Sequence, residues 1–157
     1  MTENPDADGS IRRFAGDLAG AALAGAYDDV ADALDVLVQA GSARIAAGVV
    51  AELVARCAST VQARHPAGEE SLFTVVVEDA QARPVEVDRL PPGPLAALRA
   101  LLATLGRDDA SRDIHLELAT RGRPEDVVGV AIHLLVWLVE LSNPAAAGLP
   151  ALSCFAR

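Results

Sequence analysis

Lysine is missing from this chain of 157 residues: all 13 basic side chains are arginine, against 22 acidic ones. A net charge of −9, with no arginine cluster interleaved with aromatics, excludes a binder of phosphate backbones, so no nucleic-acid partner is expected. Aromatics are also sparse at 3%, which leaves a core built from Ala, Leu and Val. The two cysteines, Cys57 and Cys154, are too few for a disulfide framework or a cysteine-spaced zinc site. Both read as reduced thiols in a cytosolic compartment, and sequence alone leaves their separation open. No run reaches the ~18 continuous apolar residues of a membrane helix, so no membrane association is expected. The opening MTENPDADGS is polar and acidic, unlike a secretory signal. Arg12–Arg13 followed by FAGDLAGAALAGA approaches a twin-arginine signal, but Asp17 breaks the run and an ordinary helix accounts for it. The absence of lysine and the heavy use of Ala, Gly, Val, Arg and Asp match a high-GC bacterial genome.

Catalytic signatures are absent as well. The chain has no G-x-G-x-x-G, no P-loop and no G-x-S-x-G, and nothing marks Ser71, Ser111 or Ser142 as a nucleophile. No H-E-x-x-H, E-x-x-H, H-x-H or C-x-x-C occurs. His115-x-Glu117 has the spacing of half a zinc-deaminase motif, whose Pro-Cys-x-x-Cys half is missing. The Asp28–Asp29 and Asp108–Asp109 pairs sit in first turns, where the helix dipole favours acids. No metal and no cofactor are therefore expected.

What is present is helical periodicity. Residues 1–9 read as a disordered tail, with Asp8 or Ser10 placed to cap a helix from Ile11 to about Ala24. Tyr27, Val30, Ala31, Leu34 and Val38 form the apolar stripe of a second helix that Gly41 closes. A third runs from Ser42 to about Arg64, with Ile45, Val49, Leu53, Cys57 and Val61 at four-residue steps until His65–Pro66 stops it. On that face Cys57 reads as buried and inert. The middle changes period: Phe73, Val75 and Val77 alternate with Thr74, Val76 and Glu78, and PVEVD alternates again. This predicts a β-hairpin at about 72–88 with a turn longer than two residues.

Pro94 is then placed to open a fourth helix to Leu105, followed by helices over Asp108–Thr120 and Pro124–Ser142. DIHLELAT in the fifth also alternates like a strand. An internal comparison favours helix. At a spacing of 80, Leu18, Asp28 and Asp29 meet Leu98, Asp108 and Asp109, while Leu34, Val36 and Val38 meet Ile114, Leu116 and Leu118. With one residue of slack, Gly48, Val49 and Leu53 meet Gly129, Val130 and Leu134. The reading is a mainly α (α+β) domain over 10–143. It holds six helices, as two related three-helix units joined by one central hairpin. A tail over 144–157 docks on it through Leu149, Leu152 or Phe155.

The sixth helix carries GVAIHLLVWLVEL, apolar on every face, which marks a central or an interface helix. His133 and Trp137 lie one turn apart and are the candidate ligand-binding residues. The apolar context reads His133 first as a neutral core histidine with backbone partners. Phe73, Val75 and Val77 on the hairpin, with Leu134 and Leu138 on the helix, are the candidate interface. The expected function is non-enzymatic protein–protein interaction, with a second copy or another protein as partner, for which the hairpin offers free edges. The alternative is a small-molecule binder, or less readily an enzyme, with a pocket between the bundle halves lined by His133, Trp137 and aliphatic side chains.

Overall fold

The computed structural model describes residues 5–66, 73–145 and 150–155. Among them are six α-helices: α1 (Pro5–Leu23), α2 (Tyr27–Ala40), α3 (Ala43–Arg64), α4 (Pro92–Leu105), α5 (Asp109–Ala119) and α6 (Pro124–Leu141). Three two-residue strands join them: β1 (Val77–Glu78), β2 (Pro84–Val85) and β3 (Leu152–Ser153). The chain is mainly α with a small sheet.

Local chemistry places most boundaries. Ser42 caps α3 by accepting the Ile45 amide at 3.3 Å, and Gly41 ends α2 at φ 63°. Asp108 caps α5, accepting both the Ser111 amide and its hydroxyl, and these hydrogen bonds hold its carboxyl below the usual range. At the far end of α6, Arg64 donates to the Leu141 carbonyl at 2.6 Å, so the last turn of α3 satisfies the last turn of its neighbour. Two starts differ from expectation. α1 begins at Pro5, so Asp8, Ser10 and Arg12–Arg13 lie inside it, and of the expected tail over 1–9 residues 1–4 lie outside the described residues. α4 begins at Pro92, because proline suits the first helical position and Pro91 supplies the extended residue before it.

α3 and α6 pack against each other at the centre, and the other four helices flank them. α3 is the one described helix long and apolar enough to cross a bilayer, with a mean hydropathy of 1.3. Here Val49, Val50 and Leu53 are fully buried against protein. In α6 Val130, Ala131, Leu134 and Leu138 are buried too, each large side chain contributing about 1.5–3 kcal/mol.

The major helix–helix contacts form a closed set under one exchange. Replacing α1, α2 and α3 by α4, α5 and α6, and the reverse, maps α3–α6 onto itself and every other such pair onto another of the set. The burial pattern agrees for the central pair. Ala46, Val49, Val50, Leu53, Val54 and Cys57 each meet a buried residue 81 positions on: Val127, Val130, Ala131, Leu134, Leu135 and Leu138. The 80-residue spacing fails in the second pair, where Leu34 is 7% exposed and Ile114 is 60% exposed. A spacing of 82 instead brings the buried Leu34 and Leu37 onto the inward Leu116 and Ala119.

The hairpin is real but short. Val77 faces Val85 across an antiparallel pair, and the connection runs from Asp79 to Arg83. Asp79 organises it: its carboxylate accepts the Arg83 and Gln81 amides, which holds its pKa below the usual range. The hairpin is not isolated, which corrects the sequence reading. β3 pairs with β1 in parallel, giving the order β2-β1-β3. Phe73, Val75 and Val77 do share a face, but it packs onto the chain's own core. Residue 72 lies outside the described residues.

Candidate functional site

From Gly129 to Leu141 the helix carries only three side chains with polar atoms: His133, Trp137 and Glu140. Their spacing of four and three residues places them on one stripe of α6. All three meet the backbone of the same short segment. The His133 Nδ1 lies 3.0 Å from the Gly129 carbonyl and donates to it, so Nε2 is free to accept, and the Phe155 amide donates to it at 3.4 Å. The Trp137 indole donates to the Ser153 carbonyl at 2.8 Å. The Glu140 carboxylate accepts the Ser153 amide at 3.0 Å and, through its other oxygen, the Ser153 hydroxyl.

The opposite edge of the same segment belongs to β1. The Leu152 amide donates to the Val76 carbonyl and the Cys154 amide to the Glu78 carbonyl, both at 2.8 Å. A strand presents successive residues to opposite sides, so one parity bonds to β1 and the other to α6. β3 therefore has no free edge, because a row of helix side chains replaces the missing neighbour strand. Leu152 and Cys154 are buried beneath it, while Phe155, 46% exposed, sets its ring edge-on to His133 at 5.0 Å. Leu152 is buried, Phe155 meets His133 through its ring, and Leu149 lies outside the described residues.

His133 is held neutral. Burial lowers its pKa below 6.5, partly offset by the hydrogen bond to Gly129. Trp137 is fully buried and contacts His133 edge-on at 5.9 Å. Its indole is engaged by the Ser153 carbonyl, and it stands outside the lining of the cleft described below. Leu134 and Leu138, at 0% and 3% exposure, have no surface to offer a partner, and their place as interface residues is corrected. Glu140 escaped notice in the sequence. The available signal was the spacing of the three polar side chains on an otherwise apolar helix. Cys57 donates weakly to the Leu134 carbonyl, and burial pushes its thiol up to about 12, so it is no nucleophile. Both cysteines are free.

A second feature adjoins the segment. A cleft of about 1040 Å³ opens between the start of α4, the inner face of α5 and the first half of α6. His133 and Phe155 form one side of it, and His115, Arg99 and Arg121 stand on the others. Among the described residues no three His, Cys, Asp or Glu side chains converge on a point where a metal ion could sit. No protein-family model, curated protein or solved structure matches the chain.

Proposed function

We propose that this chain is a non-enzymatic interaction module whose receptor is the groove between β1 and α6, and whose resident occupant is its own segment 150–155. The observation that carries this reading is the stripe of His133, Trp137 and Glu140. Each of the three polar side chains in the central turns of an apolar helix makes one hydrogen bond with the backbone of one extended peptide. Backbone recognition of that kind accepts any segment with a matching pattern, the mode used when a peptide adds to a sheet. Every copy carries one segment that fits, so the first partner is a second copy, joined by reciprocal exchange of this strand. The free thiols of Cys57 and Cys154 and the acidic surface suit a protein of the cytosol. The closed helix-pair set and the buried positions 81 apart in α3 and α6 support an origin by duplication of a three-helix unit.

A peptide in trans tests the reading. Ser153→Pro removes the amide that Glu140 accepts and releases the resident segment while leaving the groove intact. Labelled PALSCFAR is expected to bind this variant about tenfold more tightly than the wild type, read by fluorescence anisotropy. Adding Glu140→Ala to the same variant is expected to abolish the gain. A variant that keeps its helical circular dichroism but captures no peptide refutes the proposal.

A further inference from the structure

We infer that the cleft between α4, α5 and α6 binds a flat aromatic molecule bearing one anionic group. A glycine stands among the residues that line the space. Gly129 lies inside α6, on the cleft floor, and a Cβ built there meets nothing within 4 Å. Glycine inside a helix is unfavourable relative to alanine, and no neighbour here requires it. The contrast is Gly48, its counterpart in α3, where a Cβ would come within 2.9 Å of the Ile11 side chain. Gly48 answers to packing, whereas a side chain at Gly129 would enter open space beside the cleft lining. Gly93 draws the walls together, since a Cβ on it would lie 2.7 Å from a Val130 methyl group.

The lining names the ligand class. Flat or rigid faces surround the space: the prolines at the start of α4 and the rings of His115, His133 and Phe155. Such surfaces suit a planar apolar body, gripped edge-on or face-on by the rings. Arg99 and Arg121 reach the rim and hold only exposed carboxylates, Asp88 at 3.4 Å and Glu117 at 3.1 Å. Exposed pairs of this kind contribute little, so either guanidinium can turn to a ligand anion. Glu125 and Asp126 also line the cleft and oppose a second negative charge.

Two dyes separate the parts of this inference. The intact chain is titrated with 1-anilinonaphthalene-8-sulfonate and with its uncharged relative N-phenyl-1-naphthylamine, both followed by fluorescence. The sulfonate is expected to saturate one site and to bind about tenfold more tightly than the neutral dye. Changing Arg99 and Arg121 together to alanine is expected to remove that difference. Gly129→Ala is expected to raise Tm by roughly 2–4 °C while weakening the dye, opposite signs that a purely structural glycine would not give. Gly129→Leu, which fills more of the space, is expected to weaken it by at least about tenfold. Val36→Glu, in the apolar groove of the other half, is expected to leave binding unchanged. Unsaturable binding, equal affinity for the neutral dye, or a loss confined to Val36→Glu would overturn the assignment.

Discussion

Trp137 is the only tryptophan of the chain, and its indole hydrogen bond ties the centre of α6 to the Ser153 carbonyl. Phenylalanine leaves that carbonyl without its partner and, being smaller than the indole, opens a void as well, so Trp137→Phe is expected to cost about 2–4 kcal/mol in denaturant unfolding. A loss below a few tenths would mean that the bond contributes nothing net. His133 adds a pH term whose sign follows from its environment. Its folded-state pKa is depressed by burial, so the unfolded chain takes up the proton first. The contribution is therefore full above about 6.5, where the unfolded imidazole is also neutral, and is lost as pH falls from there through the folded value. Protonation also turns Nε2 from an acceptor into a donor, which removes the site for the Phe155 amide. Thermal unfolding between pH 7.5 and 5 is expected to show Tm falling in the wild type, with a shallower slope in His133→Phe. Equal slopes would mean that other groups govern acid sensitivity.

At the scale of elements, boundaries and polar contacts were legible to different degrees for a physical reason. Caps and breakers act within four residues, so Gly41, Ser42, Asp108 and Pro124 could be read where they stand. Ser42→Ala is accordingly expected to cost about 1 kcal/mol through loss of the Ile45 amide's acceptor, seen as a Tm lower by roughly 2–4 °C. An unchanged Tm would mean that water or a neighbouring group replaces the hydroxyl. The start of α4 was misread by two residues because three closely spaced prolines, Pro91, Pro92 and Pro94, each suit a helix start and no local pattern ranks them. The third strand was beyond reach. Leu152 and Ser153 pair in parallel with residues far back in the chain, and a two-residue strand has no periodicity to read. His133 was legible as a neutral histidine with backbone partners. That one partner is the Phe155 amide depends on where the tail returns, which no local pattern encodes. The interface reading of Leu134 and Leu138 failed for a related reason. An all-apolar helix has the same signature at the centre of its own core as at a seam between chains.

For the whole molecule, the arrangement makes the C-terminal segment a detachable part held by one strand pairing on one side and three side chains on the other. Both halves of that contact are present in each copy, so exchange between copies replaces every bond it breaks, and only concentration and the connecting residues decide which form prevails. Two complementary defects separate exchange from any other association. Glu140→Ala keeps a competent segment but weakens the groove, while Ser153→Pro keeps the groove but spoils the segment. Neither variant alone can build a contact in trans. Mixed, the first can lend its segment to the second. Light scattering after size exclusion is expected to give monomer mass for each variant and a 1:1 heterodimer for the mixture, dissociating on dilution. Trp137 of the accepting chain reports the same event, its emission shifting to the blue as the borrowed segment covers it. A mixture that stays monomeric at high concentration, with both variants folded, would rule out the second copy as partner. Dimers of either variant alone would place the association on another face.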